Sequence, residues 1–155
     1  MMLSTVDNLD LTRYQGKWYE IARLPNSFER NLTLVTATYT VQANGKVEVL
    51  NQGYKSGLKR KSIKGKAWVP SKDFPGRLKV RFFWPFSGDY YVIALDEDYQ
   101  YALVGSPSRK FLWLLAREPK ISREVYDRYV QIAREHDFRV EELIKVDQSL
   151  HINDK

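Results

Sequence analysis

A chain of 155 residues is sized for one domain and buries roughly two-thirds of its unfolded surface without covalent staples. It has no cysteine and only two histidines, His136 and His151, which excludes disulfides, thiol catalysis, Cys-type zinc sites and a multi-histidine metal centre. The net charge of +6 admits nucleic acid or an anionic membrane surface as partner without requiring either, and the 14% of aromatic residues suit a core or a ligand wall.

The opening Met1-Met2-Leu3-Ser4-Thr5 has neither the basic nor the apolar region of a secretory signal. The chain therefore reads as cytosolic, or as one that begins after a removed signal. No apolar run reaches the roughly 18 residues of a membrane-spanning helix. From Gly16 onward, short strands are punctuated by turn signals. Gly16 to Leu24 is the first. Val35 to Val41 alternates clearly and leads into Asn44-Gly45, a hairpin signal because both residues tolerate positive φ. Val47 to Asn51, Ile63 to Val69, Leu78 to Phe82, Tyr90 to Leu95, Tyr99 to Gly105 and Lys110 to Arg117 follow, with Pro75-Gly76 turning before Leu78. Eight evenly spaced strands predict an all-β, antiparallel up-and-down barrel or sandwich.

One segment has a helical period. Ser122 is a cap, Ile121 and Tyr126 form a hydrophobic staple, and Val125, Tyr129, Ile132 and Ala133 make one apolar stripe. This helix is expected to lie outside the barrel. Phe138 to Val146 adds one short strand, and the tail beyond Asp147 reads as frayed. With no linker and no repeat, residues 1–155 read as a single domain with its core at about 10–147.

A closed eight-stranded sheet has an interior that fits either side chains or one small ligand. Alternation assigns to it Ala37, Tyr39, Val49, Asn51, Ile63, Ala67, Leu78, Val80, Phe82, Tyr91, Ile93, Val104 and Trp113. Several are small, and Tyr39, Asn51 and Tyr91 bring polar tips, a mixture typical of a ligand pocket. A solid core satisfies the same pattern equally well, because alternation is blind to volume.

Three segments carry a family resemblance. Gly16-Lys17-Trp18-Tyr19-Glu20-Ile21-Ala22-Arg23 resembles the opening signature of the lipocalins. Asp96-Glu97-Asp98-Tyr99 with Tyr101 to Val104 resembles the second signature, and Trp113 to Pro119 the third, with Arg117 as its arginine. They occur in family order across nearly the whole chain. Asn26 to Arg30, Val35 to Tyr39, Gly53-Tyr54 and Pro85-Phe86 are similar to the bacterial outer-membrane lipoprotein branch and, next, to apolipoprotein D.

The resemblance implies an eight-stranded calyx that binds a fatty acid or lysophospholipid in bacterial envelope lipid maintenance, with no cofactor and no catalysis. It also implies a place in the outer membrane or periplasm, although the lipidated cysteine of that branch is lacking here. Gly16, Trp18 and Arg117 are expected to hold the closed end without touching ligand. Leu24, Phe28, Leu32, Trp84 and Phe86 are expected at the mouth, where an apolar rim would meet a membrane. Family members occur as monomers or dimers, and both stay open. So do compact ligands such as haem, bilin or retinoid. A lipid-modifying enzyme is disfavoured, with Glu20 read as a buried partner of Arg117. Nucleic-acid binding is set aside because the aromatics share the inward face. The run Lys55, Lys59, Arg60, Lys61, Lys64 and Lys66 reads first as a solvated face and otherwise as an approach to anionic headgroups.

Overall fold

The barrel closes because its first strand is long enough to pair on both sides. In the computed structural model, which describes residues 2–83 and 86–153, β1 (Gly16–Arg23) pairs with β2 (Thr33–Val41) through Gly16 to Tyr19. Its other edge and far end, Tyr19 to Arg23, pair with the last barrel strand, Leu112–Ala116. Between these run β3 (Val47–Lys55), β4 (Lys59–Trp68), β5 (Arg77–Phe83), β6 (Phe86–Leu95) and β7 (Tyr101–Gly105), with Leu112–Ala116 as β8. Each pairs antiparallel with the next, so the eight strands form a closed up-and-down barrel. The β2–β3 connection is longer than a two-residue hairpin. Only Gly45 is left-handed (φ +84°), while Asn44 turns the chain by accepting the Lys46 N–H at 2.9 Å.

Two of the four register shifts in the described ladders reset which side chains of β1 and β6 face inward. The bulge between Glu20 and Ala22 lets Glu20 and Arg23 both point into the barrel, although residues three apart in a regular strand face opposite ways. A second bulge lies between Val92 and Ala94. Outside, α2 (Arg123–Glu135) starts where expected, with Ser122 Oγ accepting the Val125 N–H at 3.2 Å. Its buried Tyr129 and Ala133 pack on the outer faces of Leu103, Leu112 and Leu114.

The C-terminal segment differs from expectation in extent. Of Phe138 to Val146, only Ile144–Lys145 is a strand, β9, pairing with Ala22 and Arg23 where β2 has left β1. Beyond it the chain is anchored rather than frayed. The β1–β2 ladder ends at Tyr19 and Thr36, and the buried Gln148 amide donates to Glu20 O and Val35 O, both at 2.8 Å, across the gap. The helix α3 (Ser149–Asn153) follows.

One end of the barrel is sealed. A single helical turn, α1 (Leu11–Tyr14), is capped by Asp10, which accepts the Thr12 N–H. It presents Tyr14 O to the indole N–H of the fully buried Trp18 at 2.8 Å. The Arg117 guanidinium lies 3.8 Å above the Trp18 ring and donates to the carbonyls of Arg13, Tyr14, Lys17 and Tyr99 at 2.9 to 3.1 Å. Gly16 has φ +103°, which favours glycine, and a Cβ there would sit 3.2 Å from Arg117 Nη1 and press on the guanidinium. Arg117→Met keeps the stem but strands four carbonyls and removes the cation–π contact. It is expected to cost about 2 kcal/mol after allowance for partial exposure, read as a lower urea midpoint at unchanged slope.

Candidate ligand-binding cavity

Above that seal the interior is hollow, with a volume of about 540 Å³. This lies in the range of pockets that enclose a small molecule, roughly 300–1,000 Å³. Of the residues assigned inward by alternation, Ala37, Tyr39, Val49, Asn51, Ile63, Ala67, Leu78, Val80, Phe82, Val104 and Trp113 line it. Tyr91 and Ile93 do not. They face the layer under α2, and Tyr90 and Val92 take the inward positions. Tyr90 to Leu95 is six apolar residues in succession, because this strand is covered on both faces, so alternation carried no phase there.

Leu24 is also displaced from its expected place. The β1 bulge turns Arg23 inward and Leu24 outward, into the same outer layer. Of the other mouth residues, Phe28 and Leu32 line the cavity. Trp84 lies outside the described residues, as does the side chain of Phe86. Gly16, Trp18 and Arg117 sit beneath the cavity and contribute nothing to its wall.

The floor is a chain of three phenols, of which alternation found only Tyr39. Tyr14 precedes the first strand, and its signal was the Leu11/Tyr14 spacing behind a capping Asp10. Its hydroxyl meets that of Tyr90 at 2.6 Å, and Tyr90 donates to Tyr39 at 2.8 Å. Burial pushes all three phenols up, so they stay neutral and satisfy one another.

The waist carries buried charge. Arg23 donates to Glu29 O at 2.8 Å and Leu32 O at 3.1 Å, which ties the mouth loop to β1. Glu29 Oε1 accepts from Trp113 Nε1 at 2.7 Å and Asn26 Nδ2 at 2.8 Å. Glu20 is therefore not the partner of Arg117 but of Arg23, whose Nη1 stands 3.5 Å from its Oε1. Both atoms lack a hydrogen bond among the described residues, and Glu20 fronts the cavity. Burial, with Glu29 beside it, pushes the Glu20 carboxyl well above its usual 4.5, and Arg23 offsets only part of this.

At the mouth, Phe28 stacks on Phe111 at 5.7 Å, and Phe111 on Trp113 at 5.8 Å. Gln52, Lys61 and Ser62 complete the rim on the β3–β4 side. The result is a one-ended apolar container with neutral phenols at its floor and a lysine at its lip. The family model for the lipocalin-like domain matches residues 9–148. This chain belongs to the lipocalin family. Outer membrane lipoprotein Blc of Vibrio cholerae serotype O1 is 44% identical over 145 residues, covering 92% of this chain and 85% of the relative. Its Escherichia coli K12 counterpart is 45% identical over 148 residues, covering 94% and 83%. Apolipoprotein D of Bos taurus is 33% identical over 150 residues, covering 92% and 78%. Among solved structures, the cockroach allergen Per a 4 superposes with a TM-score of 0.76 at 24% identity, covering 99% of this chain and 97% of that one. At that identity the likeness speaks for the lipocalin barrel alone.

The Glu20 carboxyl makes a prediction about stability. It is neutral in the fold and ionised in the unfolded chain between pH 4.5 and its raised folded value. Over that interval the unfolded chain binds fewer protons, so stability falls as pH rises. Glu20→Gln removes this dependence. Its urea midpoint should match the parent's near pH 4.5 and exceed it increasingly as pH rises above that; parallel profiles would refute the assignment.

Proposed function

We propose that this lipocalin binds and carries a single-chain lipid, a fatty acid or lysophospholipid, and releases it chemically unchanged. The observation that supports it most is the shape of the polarity: an apolar shaft with cationic and amide groups at its open rim. Such a shaft takes an acyl chain tail-first and leaves an anionic head beside Lys61 and Gln52. The likeness to outer membrane lipoprotein Blc supports a role in lipid maintenance at a bacterial envelope. Non-enzymatic function is favoured by the wall itself. Of its three acidic residues, Glu20 and Glu29 are engaged by Arg23, Asn26 and Trp113 and Asp89 by Lys79, and His136 and His151 stand away from the cavity.

Chain length separates an acyl ligand from a compact one. Each methylene moved from water into the shaft contributes about 0.8 kcal/mol, so affinity should rise roughly fourfold per added carbon until the chain meets the tyrosine floor. Displacement titration of saturated fatty acids of increasing length measures this, and a flat series would overturn the reading. Ala37→Trp, which fills the shaft from the centre of β2, should weaken binding roughly tenfold or more while the far-UV spectrum keeps its β signature. Denaturing mass spectrometry of lipid extracted from the purified protein identifies the cargo. A haem, bilin or retinoid recovered there would replace the acyl ligand.

A further inference from the structure

The β3–β4 hairpin is a cationic projection whose purpose the cavity does not explain. Its two strands pair from Val47 with Ala67 out to Lys55 with Lys59. Among the described residues, the next strand, β5, pairs with β4 from Lys66 to Trp68, so Lys59 to Gly65 has a ladder neighbour there on one side alone. This ribbon is exposed from Lys59 through Lys64, and its tip, Gly57-Leu58, turns with φ +80° and +57°. Lys55, Lys59, Arg60, Lys61, Lys64 and Lys66 are all exposed, and none forms an ion pair among the described residues. Of the 25 Lys and Arg residues in the chain, six lie here, and the remainder equals the 19 Asp and Glu. Residues 55–66 thus carry six positive charges and no acidic group, a number equal to the net charge of the whole chain.

The hairpin is also part of the mouth. Lys61, Ser62 and Ile63 line the cavity, while Leu58 at the tip is 58% exposed and Phe28 across the opening is 53% exposed. We propose that this hairpin docks the open end of the barrel onto an anionic lipid surface, with the basic strands on the headgroups and Leu58 inserted between them. Three features favour a membrane. Five of the six cations are lysines, point charges suited to a diffuse anionic field rather than to bidentate pairing. Residues 55–66 contain no aromatic ring, which base stacking on single-stranded nucleic acid requires. The exposed apolar groups border a lipid-sized cavity, so docking would bring its entrance to the source of its cargo. This last point rests on the acyl-ligand reading; the charge argument does not.

The test is sedimentation of the whole chain with vesicles of phosphatidylcholine alone or containing about 30 mol% phosphatidylglycerol. Binding is expected only to the anionic vesicles, weakening steeply with added salt. Each cation near such a surface contributes roughly a fivefold factor. Lys59→Glu combined with Arg60→Glu and Lys64→Glu should therefore lower vesicle affinity about a hundredfold or more. Leu58→Asp should lower it further than loss of contact area alone. Fatty-acid binding by the same variants in solution is expected unchanged, which separates failure of docking from failure of the cavity reading. Equal binding to both vesicle types, or undiminished binding by the triple variant, overturns the proposal. So does retention of a single-stranded oligonucleotide with no vesicle binding.

Discussion

The guanidinium of Arg117 lying across the indole of Trp18 is the contact on which the container depends. A closed sheet leaves two open ends, and water entering both would make its interior a channel rather than a pocket. Here Trp18 fills one end, and Arg117 ties it to α1, to β1 and to the β6–β7 turn through four backbone carbonyls. The floor phenols follow from that seal. Tyr14 packs at a tilt against Trp18 at 5.1 Å and stacks on Tyr39 at 5.5 Å, so the plug and the cavity floor are one aromatic cluster.

With one end closed, the size of the residues above it decides what the barrel is for. Ala37, Val49, Ala67 and Val104 leave space at the centre that larger aliphatics would fill. An unfilled core forgoes dispersion contacts and costs stability relative to a packed one. A bound ligand restores those contacts, which couples occupancy to stability. The cost is compounded at the waist, where the β1 bulge turns Glu20 and Arg23 to the same side within an apolar wall. Arg23 uses its remaining donors to hold Glu29 and Leu32, so the mouth loop carrying Phe28 is fastened to the barrel from inside.

Polarity is graded along the barrel axis. The phenols at the floor are neutral, the waist holds acidic groups compensated by one guanidinium, and the rim opens onto a hairpin whose residues 55–66 carry six cations and no acid. Under the proposed acyl-ligand reading, such a gradient orients the ligand with its head at the lip, beside Lys61 and Gln52.

Much of this was legible from the chain alone where one face of a strand is wet. Val35 to Val41, Ile63 to Val69 and Leu78 to Phe82 alternate apolar with polar residues, and the inward residues read from them line the cavity. Gly16, Trp18 and Arg117 were identifiable through family signatures, though their mutual contact was not. What failed did so for stated reasons. Tyr91 and Ile93 lie on a strand covered on both faces, and Leu24 follows a bulge, which shifts the phase of a strand without leaving a mark in composition. Tyr14 and Gln148 come from segments outside the barrel that only tertiary folding brings to it. The sequence by itself determined the strand periodicity, the family and the sign and position of the charge, because these depend on neighbours along the chain. Whether the interior is hollow, and which residues meet across it, is set by volumes and distances between strands far apart in sequence. Those only the tertiary structure decided.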